Sequence, residues 1–87
     1  MHRKLYVGNL PRSITEIDLR EKFGRFGTVQ SAVVPTDAET GRSKRFGFVE
    51  MASDSEARTA IARLNMTLYE DVIISVSEAR EPKAMLD

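Results

Sequence analysis

The stretch "KRFGFVEM", residues 44–51, is apolar on both sides when it is taken as a β-strand. Side chains alternate between the two faces of a sheet, so Phe46 and Phe48 point one way while Val49 and Met51 point the other. An antiparallel sheet in a small domain commonly buries only one of its faces. One of these two apolar pairs therefore needs a partner other than the protein core.

The length and composition of the chain indicate one small domain without thiol or histidine chemistry. It has 87 residues, 41% hydrophobic and 30% charged, which suits a globular domain that folds alone. The absence of cysteine excludes a disulfide framework and a zinc site built on thiolates. The single histidine, His2, lies at the terminus, so we expect no catalytic histidine, no metal and no cofactor.

The apolar runs are only a few residues long, so we expect no membrane span and no signal peptide. These features predict a cytoplasmic or nuclear protein, and they leave an organelle open. The chain is compatible both with a whole small protein and with a piece cut from a longer one.

The charges of the chain balance overall but not locally. The net charge is zero and the isoelectric point is about 6.6, which argues against a binder that works mainly by neutralising phosphates. Local distribution matters more than the sum, and two short basic clusters contain no acid. They are Arg42, Lys44 and Arg45 around the start of the quoted stretch, and His2, Arg3 and Lys4 near the start of the chain.

Hydrophobic periodicity and turn residues predict the element order β-α-β-β-α-β. Each helix begins at an expected capping box, Thr15 with Asp18 and Ser53 with Glu56. The predicted strands are 4–10, 28–34, 45–51 and 71–77. The first predicted helix is 16–23, and the second begins at the Ser53 cap and ends near Asn65.

This order is that of the ferredoxin-like α+β fold, a four-stranded antiparallel sheet with two helices on one face. We expect the domain to occupy residues 4–80 and residues 81–87 to form a flexible C-terminal tail. Val49 and Met51 then meet the helices, and Phe46 and Phe48 lie on the uncovered face.

A third aromatic residue belongs to that uncovered face. On the first strand Leu5 and Val7 face the core, so Tyr6 points toward Phe46 and Phe48. Exposing a cluster of aromatic rings is costly unless a partner covers them. Rings at this spacing suit single-stranded nucleic acid, because stacking contributes about 1–3 kcal/mol per base. Cations for the phosphates are close by, at Arg42, Lys44 and Arg45.

The stretches "LYVGNL" (5–10) and "KRFGFVEM" (44–51) resemble the hexamer and octamer motifs of the RNA recognition motif family. The octamer reads K/R-G-F/Y-G/A-F-V-x-F/Y, and the chain departs from it at Arg45, in place of glycine, and at Met51, in place of an aromatic residue. Arg45 either adds charge near the phosphate path or restricts the preceding loop. Met66 stands where the family usually has a glycine after the second helix, so the resemblance implies that Asn65 adopts the left-handed conformation. The resemblance covers residues 4–80.

The resemblance implies a role for individual residues. Tyr6 and Phe48 would each stack a base, Phe46 would pack against the sugars between them, and Lys44 would contact phosphate, with Arg42 and Arg45 nearby. Asn9 would read base edges, although it could instead only shape the turn after the first strand. Backbone groups near the end of the last strand would also read base edges, at Glu78, Ala79 and Arg80.

We therefore expect a monomeric, non-enzymatic binder of single-stranded RNA, with single-stranded DNA as a second candidate ligand and RNA processing or post-transcriptional regulation as its role. The alternative is a protein-binding module of the same family. In that case a protein partner covers the same sheet face or the acidic first helix. The C-terminal tail could also cover the aromatic residues.

Overall fold

The computed structural model describes residues 3–79, and this part of the chain forms one antiparallel sheet with two helices. The predicted tail and the candidate site residue Arg80 lie outside the described residues. The sheet has the strand order β2-β3-β1-β5-β4. Its elements are β1 (Lys4–Gly8), α1 (Glu16–Gly24), β2 (Val29–Val33), β3 (Phe46–Met51), α2 (Asp54–Leu64), β4 (Thr67–Tyr69) and β5 (Val72–Glu78).

The ferredoxin-like order is confirmed, but the described sheet has five strands where four were predicted. The additional strand, β4, pairs with β5 in the register Thr67↔Ile74 to Tyr69↔Val72. Three residues are too few for an alternating pattern to be recognised in the sequence. The sequence also has no glycine to mark the turn between these strands. The positive φ of 57° that the turn needs is adopted by Glu70 instead.

The core lies between the helices and one face of the sheet. Helix α1 packs on β2 and β3, and α2 packs on β1, β3 and β5. Burial alternates along β3 as predicted, with Val49 and Met51 fully covered. The remaining buried apolar residues are Leu5, Val7, Leu10, Ile14, Leu19, Phe23, Ala32, Ala57, Ala60, Leu64, Ile74 and Val76.

The two helix starts differ in how far they follow the predicted capping boxes. Thr15 and Asp18 form both bonds of the box. The Ser53 hydroxyl accepts from the Glu56 amide at 3.2 Å, so the cap itself is present. The Glu56 carboxylate, however, accepts from the backbone N–H of Thr28 at 3.3 Å. This side chain therefore joins α2 to the start of β2.

The predicted left-handed conformation at Asn65 is wrong, and the next residue adopts it. Asn65 is extended, with φ −63° and ψ 132°, whereas Met66 has φ 62°. The reason is a tertiary contact, because Asn65 Oδ1 accepts from the backbone N–H of Val76 at 2.9 Å. That bond holds Asn65 against β5 and moves the reversal to Met66.

None of the helices within residues 3–79 is long and apolar enough to cross a membrane.

Candidate nucleic-acid interface

Three aromatic rings form a compact cluster on the sheet face opposite the helices. Tyr6 pairs directly with Phe48 between β1 and β3, and Phe46 lies two residues before Phe48 on β3. The ring centroids are 5.8 Å apart for Tyr6 and Phe46, 5.7 Å for Tyr6 and Phe48, and 5.8 Å for Phe46 and Phe48. All three rings are partly exposed. We call Tyr6, Phe46 and Phe48 the aromatic triad.

Gly8 gives the Tyr6 ring its place in the triad. A Cβ atom at Gly8 would lie 2.9 Å from Tyr6 Cε2 and 2.8 Å from Ser75 Oγ. The tyrosine ring therefore leans over the backbone of Gly8, where any side chain would push it away. The absence of a side chain at Gly8 thus leaves room for the Tyr6 ring on the open face.

Gly47 allows close packing on the opposite face of the sheet, where the helices lie. A Cβ atom there would lie 2.7 Å from the backbone oxygen of Val33 and 3.0 Å from Leu19 Cδ1. Because a backbone oxygen cannot swing aside as a side chain can, Gly47 is required for the close approach of β2, β3 and α1. The two motif glycines therefore serve the site and the core respectively.

Lys4 adds a cation to the open face that was not among the predicted site residues. Its ammonium nitrogen lies 5.6 Å from the centroid of the Phe48 ring, within cation–π range. Lys4 is two residues before Tyr6 on the same strand and pairs across the sheet with Glu50. Residues two apart on a strand point to the same face, so the spacing from Tyr6 could have placed Lys4 on the open face from the sequence alone.

The loop between β2 and β3, which carries Arg42 and Lys44, is tied together by hydrogen bonds. The backbone N–H of Asp37 donates to the Arg42 carbonyl at 2.7 Å, and that of Lys44 donates to the Pro35 carbonyl at 3.0 Å. Backbone N–H groups of Thr40 and Glu39 donate to the Asp37 carboxylate and lower its pKa. These bonds fix the backbone of the loop, and Lys44, two residues before Phe46 in the chain, is exposed.

The structure also clarifies the position of Arg45. Its φ of 67° lies in the left-handed region. Its Nε donates to the Leu10 carbonyl at 3.1 Å, and the Leu10 N–H donates to the Arg45 carbonyl at 2.8 Å. These two bonds join the β2–β3 loop to the segment after β1. Arg45 therefore restricts the loop, and the residue as a whole remains exposed.

The groups predicted to read base edges already take part in internal bonds. Asn9 has φ 60°, and its Nδ2 donates to the Ile73 carbonyl at 2.7 Å. The Ala79 N–H donates to the Lys4 carbonyl at 2.8 Å, and Glu78 pairs with Leu5. Base reading by Asn9 and Glu78 stays a prediction. The contact to Ile73 means that Asn9 also fixes the turn after β1.

A ferredoxin-like domain with an aromatic triad and flanking cations on its open sheet face has the architecture of a single-stranded nucleic-acid-binding module. The sequence model of the RNA recognition motif family matches residues 5–74. The chain therefore belongs to the RNA recognition motif family.

Similar proteins agree with this assignment. The chain is 42% identical over 76 residues to a putative RNA-binding protein, RbpE, of Nostoc sp., covering 87% of this chain and 77% of that protein. It superposes with a TM-score of 0.87 and 44% identity on the crystal structure of RNA binding protein PG1, covering 91% and 95% of the two chains. A Sxl-lethal protein/RNA complex gives a TM-score of 0.84 and 37% identity, covering 88% of this chain and 47% of that one.

Proposed function

We propose that this domain binds single-stranded RNA on the open face of its sheet. Tyr6 and Phe48 each stack one base, and Phe46 packs on the sugar between them. The observation that carries this proposal is the aromatic triad, three rings within 5.8 Å of one another and partly exposed on the uncovered face. Rings placed in this way cost free energy in water and recover it when bases cover them.

The charges on the open face support a path for the phosphates. Lys44 and Arg42 lie in the loop at the Phe46 end of the triad, and Lys4 lies over Phe48 at the other end. A base that stacks on Phe48 displaces the Lys4 ammonium from the ring. The ammonium is then free to pair with an adjacent phosphate. We therefore add Lys4 to the proposed RNA contacts.

The similar proteins point to the same ligand. Two of them are named RNA-binding proteins, and a third was solved with RNA. We propose a role in RNA processing or post-transcriptional regulation on the basis of family membership alone. With a net charge of zero, stacking contributes more to affinity than phosphate neutralisation does.

The test is a titration of the ¹⁵N-labelled chain with U-rich, A-rich, C-rich and G-rich ribo-oligomers, followed by NMR. We expect the largest shifts at Tyr6, Lys44, Phe46 and Phe48 with at least one oligomer. A deoxyribo-oligomer of the preferred sequence measures discrimination against single-stranded DNA. If no oligomer shifts any resonance of the folded domain, the proposal fails, and a protein-binding module becomes the better interpretation.

Substitution of Phe48 tests the stacking mechanism itself. Phe48→Ala removes one stacking surface and should weaken RNA binding by about 1–3 kcal/mol. Phe48→Tyr keeps the ring and is the matched control, which should bind within a few-fold of the unmodified chain. The affinity is measured by calorimetry and the folding by thermal melting. Equal binding by Phe48→Ala would contradict the proposed site.

A further inference from the structure

A second apolar surface lies at the far edge of the same sheet face. Leu68 on β4 and Ile73 on β5 pair directly, with 65% and 51% of their surfaces exposed. Ile73 alternates along β5 with Ser75 and Ser77, which pair with Gly8 and Tyr6, so it faces the same side as the triad. Met66 directly precedes β4 and is 67% exposed. We call Met66, Leu68 and Ile73 the edge patch.

The edge patch differs from the aromatic triad in its charge environment. Glu70 and Asp71 form the turn that joins β4 to β5, and both residues are exposed. The Glu70 carboxylate accepts from the Ser13 hydroxyl at 3.0 Å. In the strand order β2-β3-β1-β5-β4, the basic β2–β3 loop lies at the opposite edge of the sheet. Carboxylates repel phosphates, so this edge is a poor continuation of an RNA path. It suits a partner that carries positive charge.

The patch also borders an unpaired strand edge. Within residues 3–79, β4 pairs with β5 on one side and with no strand on its other side. The outer backbone groups of an edge strand are a template for an added extended segment. An aliphatic surface, acidic groups and a free strand edge therefore occur at one place.

We propose that the edge patch binds an extended protein segment with alternating basic and aliphatic side chains, aligned along β4. The aliphatic side chains cover Leu68 and Ile73, and the basic ones approach Glu70 and Asp71. Self-association through the same surface is a separate outcome of the tests below. The aromatic triad stays available to RNA.

The direct test uses a synthetic peptide of alternating lysine with valine or isoleucine, added to the ¹⁵N-labelled full chain. We expect shifts concentrated on residues 66–73. Two matched peptides serve as controls, one with glutamate for lysine and one with serine and threonine for the aliphatic residues. Neither control should shift these resonances. Binding of the serine–threonine peptide as strong as that of the aliphatic one would overturn the proposal, as would absence of binding by all three.

Variants separate this surface from the RNA site. Leu68→Ser and Asp71→Lys should each weaken peptide binding about tenfold or more, as for central interface residues, and leave RNA binding unchanged. Ile73→Thr keeps the β-branched shape and tests the aliphatic contact without disturbing the strand. Phe48→Ala should weaken RNA binding only.

Two further results would overturn the proposal while leaving RNA binding intact. The first is an RNA oligomer that shifts Leu68 and Ile73 as strongly as Tyr6, which would assign the patch to RNA. The second is self-association of the free chain that disappears in Leu68→Ser, which would assign the patch to a second copy.

Discussion

Arg45 occupies a position where the family's octamer motif has glycine, and its backbone has the left-handed conformation that glycine favours. A non-glycine residue pays about 1–2 kcal/mol for this conformation. The bond from Arg45 Nε to the Leu10 carbonyl offsets part of that cost. The same bond joins the β2–β3 loop to the segment after β1.

This balance predicts an unusual order of stabilities at residue 45. Arg45→Ala loses the hydrogen bond and keeps the strained φ, whereas Arg45→Gly loses the bond and relieves the strain. We expect Arg45→Ala to be less stable than Arg45→Gly by about 1 kcal/mol, measured by urea denaturation. Equal stabilities would show that the observed φ carries no cost.

Gly8 provides a second prediction at the scale of single residues. The added methyl group of Gly8→Ala would overlap the Tyr6 ring and displace it from the triad. We expect RNA binding to weaken by about 1 kcal/mol or more, from lost stacking, with a small change in melting temperature. Calorimetry and thermal melting measure the two effects.

The control for this prediction is a double-mutant cycle with Tyr6→Ala. Once the ring is absent, Gly8→Ala should weaken binding little further. Additive losses would mean that Gly8 acts on RNA by a route other than the position of Tyr6.

Among the elements, β4 is the one that the sequence did not reveal, and Tyr69 joins it to α1. The Tyr69 hydroxyl donates to the Asp18 carbonyl at 3.3 Å, and Lys22 Nζ lies 4.5 Å from the ring centroid. Burial raises the pKa of Tyr69 to about 12, with smaller contributions from the carboxylates of Asp18, Glu70 and Glu21. Strand β4, which carries Leu68 of the edge patch, is thus held to α1 by the hydroxyl of Tyr69.

The raised pKa predicts how stability changes at alkaline pH. In the unfolded chain Tyr69 ionises near pH 10, and in the folded protein only near 12. Its contribution is therefore complete below about pH 10 and is lost as the pH rises toward 12. We expect Tyr69→Phe to lose stability less steeply than the unmodified chain over this interval, as measured by urea denaturation at a series of pH values. Equal slopes would contradict the linkage.

For the whole molecule, the balance of charge predicts a shallow dependence of RNA affinity on salt. If Lys44 contacts a phosphate as proposed, Lys44→Ala should reduce the slope of log affinity against log salt by about 0.7. Arg58→Ala removes the same charge from the exposed face of α2, away from the sheet's open face, and is the matched control. If Arg58→Ala reduced the salt slope as much as Lys44→Ala, net charge rather than the position of Lys44 would set the slope.

The amino-acid sequence by itself determined the β-α-β-β-α-β order, without the short strand β4, and the two faces of β3. Alternation is a local property, so Phe46 and Phe48 could be separated from Val49 and Met51 without any knowledge of contacts. Tyr6 joined them by the same rule. The aromatic triad was therefore readable from the sequence, and the resemblance to the family assigned its members their expected roles.

Tertiary structure alone decided the features that depend on contacts between distant segments. The Val76 amide holds Asn65 extended and moves the left-handed residue to Met66. The register of β1 and β3 places Lys4 over Phe48, and the Ile73 carbonyl engages the Asn9 amide. Each results from a hydrogen bond or a strand register between residues far apart in the chain, and local propensity carries no information on such pairings.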